Sequence, residues 1–153
     1  MNAITYILPV IPITLGFVST WICPISRDEV QENLRGLYVP PVWTLSLLWY
    51  AIYIFMGILM YLLLRQKVTH WYIWALLIVN IVLNLFWSPI YSRKCFNKQL
   101  IGFWWLIAIK LSLLILSTAL ILIDKPLLVL CLHIYMITVD TAIMFGYVRL
   151  NRT

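Results

Sequence analysis

Acidic side chains are scarce in this sequence. Five Asp and Glu accompany 11 Lys and Arg in 153 residues, and charged residues total 10% of the chain. Soluble domains carry about 25%, so this chain cannot cover a globular surface with solvated side chains. The net charge of +6 would suit a nucleic-acid partner in a soluble protein, but there is no basic helix or basic repeat to bind one, so no nucleic-acid partner is expected. Cysteine is limited to Cys23, Cys95 and Cys131. They form no CxxC pair and no metal-ligand spacing, so no metal site is expected and the three read as unpaired thiols. Nucleophile–base pairs, metal-ligand clusters and nucleotide-binding loops are also missing. Conventional catalysis is therefore not the default.

What the chain has is apolar length. Hydrophobic residues make up 64% of it, against about 45–50% in ordinary domains, and the few charges fall mostly between long apolar runs. Those runs cover about 3–21, 42–64, 71–91, 100–123 and 126–149, each near the ~20 residues a helix needs to cross a ~30 Å hydrocarbon core. Helices are expected because lipid offers the backbone no other easy partner. The expectation is an all-α integral membrane protein: a five-transmembrane-helix bundle in a single domain spanning 1–153. The first run has no Lys or Arg ahead of it and is interrupted by Pro9 and Pro12, so it reads as a retained helix and not a signal peptide. LIDKPLL, with Pro126 at the first turn of the last helix, predicts a tight hairpin.

Five crossings place the termini on opposite sides. Arg27, Arg35, Arg93, Lys94, Lys98, Arg149 and Arg152 collect on one side, and Arg65, Lys67 and Lys125 on the other. The bias predicts an outside N-terminus and a cytoplasmic C-terminus, in what is expected to be a prokaryotic cell membrane. The connection at 22–41 is much longer than the others. It reads either as a lid or ordered cap over one end of the bundle or as a solvated loop.

Aromatic and carboxamide side chains recur on particular helix faces. Pro40 and Pro41 introduce the second run, Trp43 falls at its membrane interface, and Trp49, Tyr53 and Met56 follow on one face. Gly57 lies beside that face and permits close helix approach. In the third run Asn80, Asn84 and Trp87 also share a face. Buried amides either bond to neighbouring helices or face a cavity. Trp49 and Asn84 sit at a common depth of about 10 Å inside the same membrane face, while Ser88-Pro89 ends or kinks the third helix. Lys110 and Asp140 match in depth on the fourth and fifth runs. They suggest a structural ion pair or a ligand- or ion-contacting site, with snorkelling of the lysine as the remaining reading. His133, seven residues before Asp140, could extend a polar track. Together the faces predict a cavity near the basic end of the bundle, suited to a flat and mostly apolar ligand.

The motifs resemble those of the TspO/MBR family, the tryptophan-rich sensory proteins that include the mitochondrial translocator protein. The resemblance rests on Pro40-Pro41-Val42-Trp43, Leu48-Trp49, Ile52-Tyr53, Met56-Gly57 and Tyr61, followed by Leu83-Asn84-Leu85-Phe86-Trp87-Ser88-Pro89-Ile90-Tyr91. It implies a five-helix membrane protein, usually a homodimer, that binds porphyrins such as protoporphyrin IX or haem-related tetrapyrroles and requires no cofactor. By that resemblance Trp43, Trp49, Tyr53, Asn84 and Trp87 are pocket residues, and Tyr38 is a first-loop contact over the mouth. Tetrapyrrole transport, stress sensing and light-dependent porphyrin breakdown are the roles it implies; a small proton-coupled exporter using Lys110, His133 and Asp140 is the alternative read from the residues themselves. The chain departs from the family in its last run, LCLHIYMITVDTAIMF, which lacks the usual PYLxW start. Asp140 there occupies a region that is normally small and apolar, and cholesterol binding is not expected to transfer.

Overall fold

The computed structural model of the chain describes residues 4–24, 26, 28, 42–92, 95–96 and 99–150. Among these the regular elements are all helices: α1 (Ile4–Ile7), α2 (Val10–Ile22), α3 (Val42–Arg65), α4 (Trp71–Tyr91), α5 (Gln99–Leu122) and α6 (Pro126–Leu150). By length and composition, α3 to α6 can each cross a membrane. The first expected span is different. It is divided at Leu8-Pro9 into a single turn and the 13-residue α2, because the Pro9 ring removes a backbone donor and obstructs the preceding turn. Four helices, and not five, therefore have full spanning length among the described residues.

The two short connections are built alike. Lys67 and Asp124 adopt positive φ angles of 52° and 56°. Val68 N–H donates to the Leu63 carbonyl and Lys67 N–H to Leu64; Lys125 N–H and Asp124 N–H repeat the pattern onto Leu120 and Ile121. Each is a Schellman closure, which reverses the chain while satisfying carbonyls at the helix end. α6 then starts at Pro126, where a missing N–H costs nothing.

The helices pack as a closed ring, with α2 against α3 and α4, α4 against α5, α5 against α6, and α6 back against α3. Buried Met56, Leu59 and Leu63 of α3 meet Leu106, Ile109, Leu113 and Leu116 of α5 and Leu132, Tyr135 and Val139 of α6 in one core cluster. The steps of three and four are those of a single helix face. Gly57 is required by the broken first span: a Cβ there would lie 2.6 Å from the Pro9 carbonyl oxygen.

Pro89 does not end α4, which runs on to Tyr91. The proline leaves the Leu85 carbonyl without its usual helical donor, and the Ser19 hydroxyl of α2 donates to that carbonyl at 2.7 Å. The defect in one helix thus becomes a tie to another. Ser19→Ala is expected to lower stability by about 1 kcal/mol, measured by denaturant unfolding in micelles. In a Pro89→Ala background the restored N–H occupies Leu85, and the Ser19 effect should shrink.

Candidate functional site

The end of α2 is tied repeatedly to the end of α4. The Ser88 hydroxyl donates to the Cys23 carbonyl at 2.8 Å, and the Ser92 hydroxyl to the Pro24 carbonyl at 2.9 Å. Cys23 and Cys95 form a disulfide, with Cα atoms 6.1 Å apart and a sequence separation of 72. The expectation of unpaired thiols fails for these two cysteines. Packing of α2 on α4 brings them together, and no local spacing could announce it. Cys131 is a free thiol.

These ties frame a cavity of about 700 Å³, within the roughly 300–1,000 Å³ of small-molecule sites, between α2, α3 and α4. Phe17, Val18, Thr20 and Trp21 line it from α2, Trp49, Tyr50 and Tyr53 from α3, and Trp87 and Ser88 from α4, with Pro24 beside them. Phe17 stacks on Tyr50 with ring centroids 4.7 Å apart, and Trp49 lies against Trp87 at 4.1 Å. Such pairs contribute about 0.5–1.5 kcal/mol beyond their buried area. No lining residue is charged. The walls offer flat apolar contact, with the hydroxyls of Thr20, Ser88, Tyr50 and Tyr53 as polar points.

The backbone geometry around Tyr53 is tight. Gly16 of α2 sits over its ring, and a Cβ at Gly16 would run into the ring carbons. The Tyr53 hydroxyl donates to the Asn84 carbonyl at 3.3 Å. That contact joins the cavity wall to a buried polar network behind it. Asn80 Nδ2 donates to the Ser112 hydroxyl of α5 at 2.6 Å, Asn84 Nδ2 donates to the Tyr135 hydroxyl of α6 at 2.6 Å, and the Tyr135 hydroxyl donates to Asn80 Oδ1 at 2.8 Å. Asn80, Asn84 and Tyr135 are all essentially inaccessible.

The structure therefore divides the residues singled out from the sequence. Trp49, Tyr53 and Trp87 line one cavity. Asn84 stands behind the wall, where it holds Tyr135 and Tyr53 in place. Trp43 is exposed in the first turn of α3, away from the lining. Tyr38, with most of the long connection at 22–41, lies outside the described residues. Lys110 and Asp140 form a direct ion pair at 2.6 Å. His133 is bonded through Nδ1 to the Val129 carbonyl of its own helix at 2.8 Å, so it is not drawn into that pair. The contribution of α2 was missed. Phe17 and Trp21, one helical turn apart, were the available signal.

Two outcomes follow from this geometry. Reduction of the Cys23–Cys95 bridge, or Cys23→Ser, should lower the unfolding midpoint in micelles. Chain entropy sets an upper bound near 4 kcal/mol for a loop of this length, with less expected where the lipid-inserted helices are already confined. Tyr135→Phe should cost about 1–2 kcal/mol in the same assay, because it leaves two buried amides short of a partner.

The chain matches no curated protein. The model of the TspO/MBR family matches residues 8–148, which takes in α2, α3 and α4, the helices that build the cavity. With its four full-length apolar helices, this integral, multi-pass, receptor-type membrane protein belongs to the TspO/MBR family.

Proposed function

We propose that the protein binds a porphyrin or a related tetrapyrrole in the cavity between α2, α3 and α4, and that it acts in tetrapyrrole sensing or regulation. The observation that carries this reading is the uncharged, aromatic lining, with Trp49 against Trp87 on one side and Phe17 against Tyr50 on the other. A flat macrocycle is matched by ring faces, which supply contact area at low conformational cost. Arg27 and Arg35, on the connection that follows Pro24 in sequence, supply positive charge for the anionic side groups of such a ligand. The proton-coupled exporter reading is less well supported, since Lys110 and Asp140 belong to α5 and α6 and the cavity is lined by neither helix.

The direct contact of Trp49 with Trp87 favours a second reading on the same site, light-dependent breakdown of the bound porphyrin with these indoles as its reaction partners. Both readings are tested together. Titration of the purified protein with protoporphyrin IX in the dark, followed by tryptophan quenching, should saturate. Trp49→Ala or Trp87→Ala should weaken binding about tenfold or more, equivalent to ~1.4 kcal/mol. Trp71→Leu, at the exposed start of α4, should leave affinity unchanged. Quenching that never saturates rejects the porphyrin reading. Binding without a protein-dependent photoproduct on illumination rejects the breakdown reading alone.

The proposed orientation keeps the basic side, and with it the Cys23–Cys95 bridge, toward the cytoplasm. A disulfide there faces a reducing compartment. Labelling of an added C-terminal cysteine by a membrane-impermeant maleimide should require cell lysis. Labelling of intact cells would invert the assignment.

A further inference from the structure

The Cys23–Cys95 bridge joins two helices and not merely two loops. Cys23 N–H donates to the Ser19 carbonyl of α2 at 3.1 Å, which keeps Cys23 in step with the last turn of that helix. Ser92 N–H donates to Ser88 at 2.9 Å, Cys95 N–H to Ser92 at 3.1 Å and Phe96 N–H to Pro89 at 3.2 Å. These bonds fold the turn that carries Cys95 back onto the end of α4. Each sulfur therefore moves with its own helix, and the bond between them fixes the end of α2 to the end of α4.

What is fixed is a wall of the cavity. Trp21, two residues before Cys23, and Pro24, next to it, both belong to the lining. So does Ser88, whose hydroxyl holds the Cys23 carbonyl. Without the bridge, this end of α2 keeps the hydroxyl bonds from Ser88 and Ser92, each a small net contribution. The buried residues of α2 are Pro12 and Gly16, neither of them in its last turn. Apolar contact does little to hold that turn.

The two sulfurs differ in access. Cys95 is exposed, whereas Cys23 is only 5% exposed. Both follow the ends of their helices, Ile22 and Tyr91, where water-borne reagents meet the bundle. Access decides which sulfur a thiolate attacks, so attack falls on Cys95. Arg93, Lys94 and Lys98 stand near it in sequence, and positive charge raises the local concentration of an anionic thiol. In the proposed orientation the bridge faces the compartment that supplies such thiols.

We propose that the Cys23–Cys95 bridge is a reversible thiol-exchange site that latches the cavity, opened by a small anionic monothiol of the glutathione class. The incoming thiolate sulfur bonds to Cys95 Sγ while the bond to Cys23 breaks. Its electron pair leaves on Cys23 Sγ, which takes a proton from water. A second thiolate then attacks the reagent's sulfur in the mixed disulfide. Cys95 leaves as a thiolate and is protonated, and the reagent departs as its own disulfide. Two thiols are oxidised and the bridge is reduced by two electrons. The last turn of α2 then opens from α4 more often, and a ligand in the cavity exchanges faster. That last consequence rests on the cavity being the ligand site; the latch does not.

The test uses the full chain with Cys131→Ser, in micelles, so that the bridge contains the only cysteines. Reduced glutathione in large excess over its disulfide should open the bridge in most molecules, read as a mass increase after alkylation. In hydrogen exchange, amides of residues 19–23 should then exchange at least about tenfold faster, while those of 71–85 stay protected. Cys95→Ser should match the reduced protein. Dissociation of protoporphyrin IX, followed by recovery of tryptophan fluorescence on dilution, should quicken in the same proportion. A bridge that stays closed in that buffer overturns the exchange site. Equal exchange of residues 19–23 in both states overturns the latch, and so does loss of protection across 71–85 as well, which marks a staple of the whole fold. Protoporphyrin IX that binds neither state rejects the porphyrin reading, while faster exchange at 19–23 still upholds the latch.

Discussion

Two asparagine side chains inside a nonpolar bundle fix most of this structure. Asn80 and Asn84 must find partners within the protein, and they do so on two helices at once: Ser112 of α5 and Tyr135 of α6. A rotation of α4 by even half a turn would deliver both amides to lipid, which an apolar residue would survive and an amide would not. That requirement sets the rotation of α4. Trp87, three residues beyond Asn84, is thereby turned toward Trp49 and the cavity. The polar cluster and the aromatic wall are therefore two consequences of one constraint, acting on neighbouring turns of the same helix.

The opposite side of the cavity is held differently. α2 is short, follows a proline break, and buries little of itself. Its position depends on contacts to α4: Ser19 on the carbonyl that Pro89 leaves open, the Ser88 and Ser92 hydroxyls on Cys23 and Pro24, and the disulfide to Cys95. Gly16 lets the helix descend onto Tyr53. The cavity thus has one wall set deep in the bundle core and one wall attached at its end. Segments with little buried contact open at lower free energy than the core does, so ligand access is expected on the α2 side and not between α5 and α6.

The sequence made the membrane-crossing helices plain because charges and prolines interrupt the apolar runs: Arg65, Lys67 and Asp124-Lys125-Pro126 stand where α3, α5 and α6 stop or start. It made the facing of Trp49 with Tyr53, and of Asn84 with Trp87, plain through steps of three and four. Helix rotation was legible only where a polar or aromatic residue marked a face. On α2 the marks point more than one way, since Phe17, Thr20 and Trp21 line the cavity while Ser19 bonds to α4, so no single face stood out. The partners of the two asparagines could not be read either, because Tyr135 meets them only after α6 packs back onto the ring. The Cys23–Cys95 bridge could not be read for the same reason. It reports long-range contact between α2 and the turn after α4, and spacing rules describe only local chemistry.

Lys110 and Asp140 show how far depth alone can lead. Equal depth on antiparallel neighbours made an ion pair one of three readings, and the structure forms it. Depth said nothing about inside or outside, and the two possibilities have opposite meanings. An inward pair would have competed with Asn80, Asn84 and Tyr135 for the polar interior and would have lined a path through the bundle. The outward pair leaves that interior closed and uncharged, which suits a cavity whose walls are rings. In this protein the neutral polar groups organise the inside of one chain. Its intramembrane charges satisfy each other on the outside of the bundle.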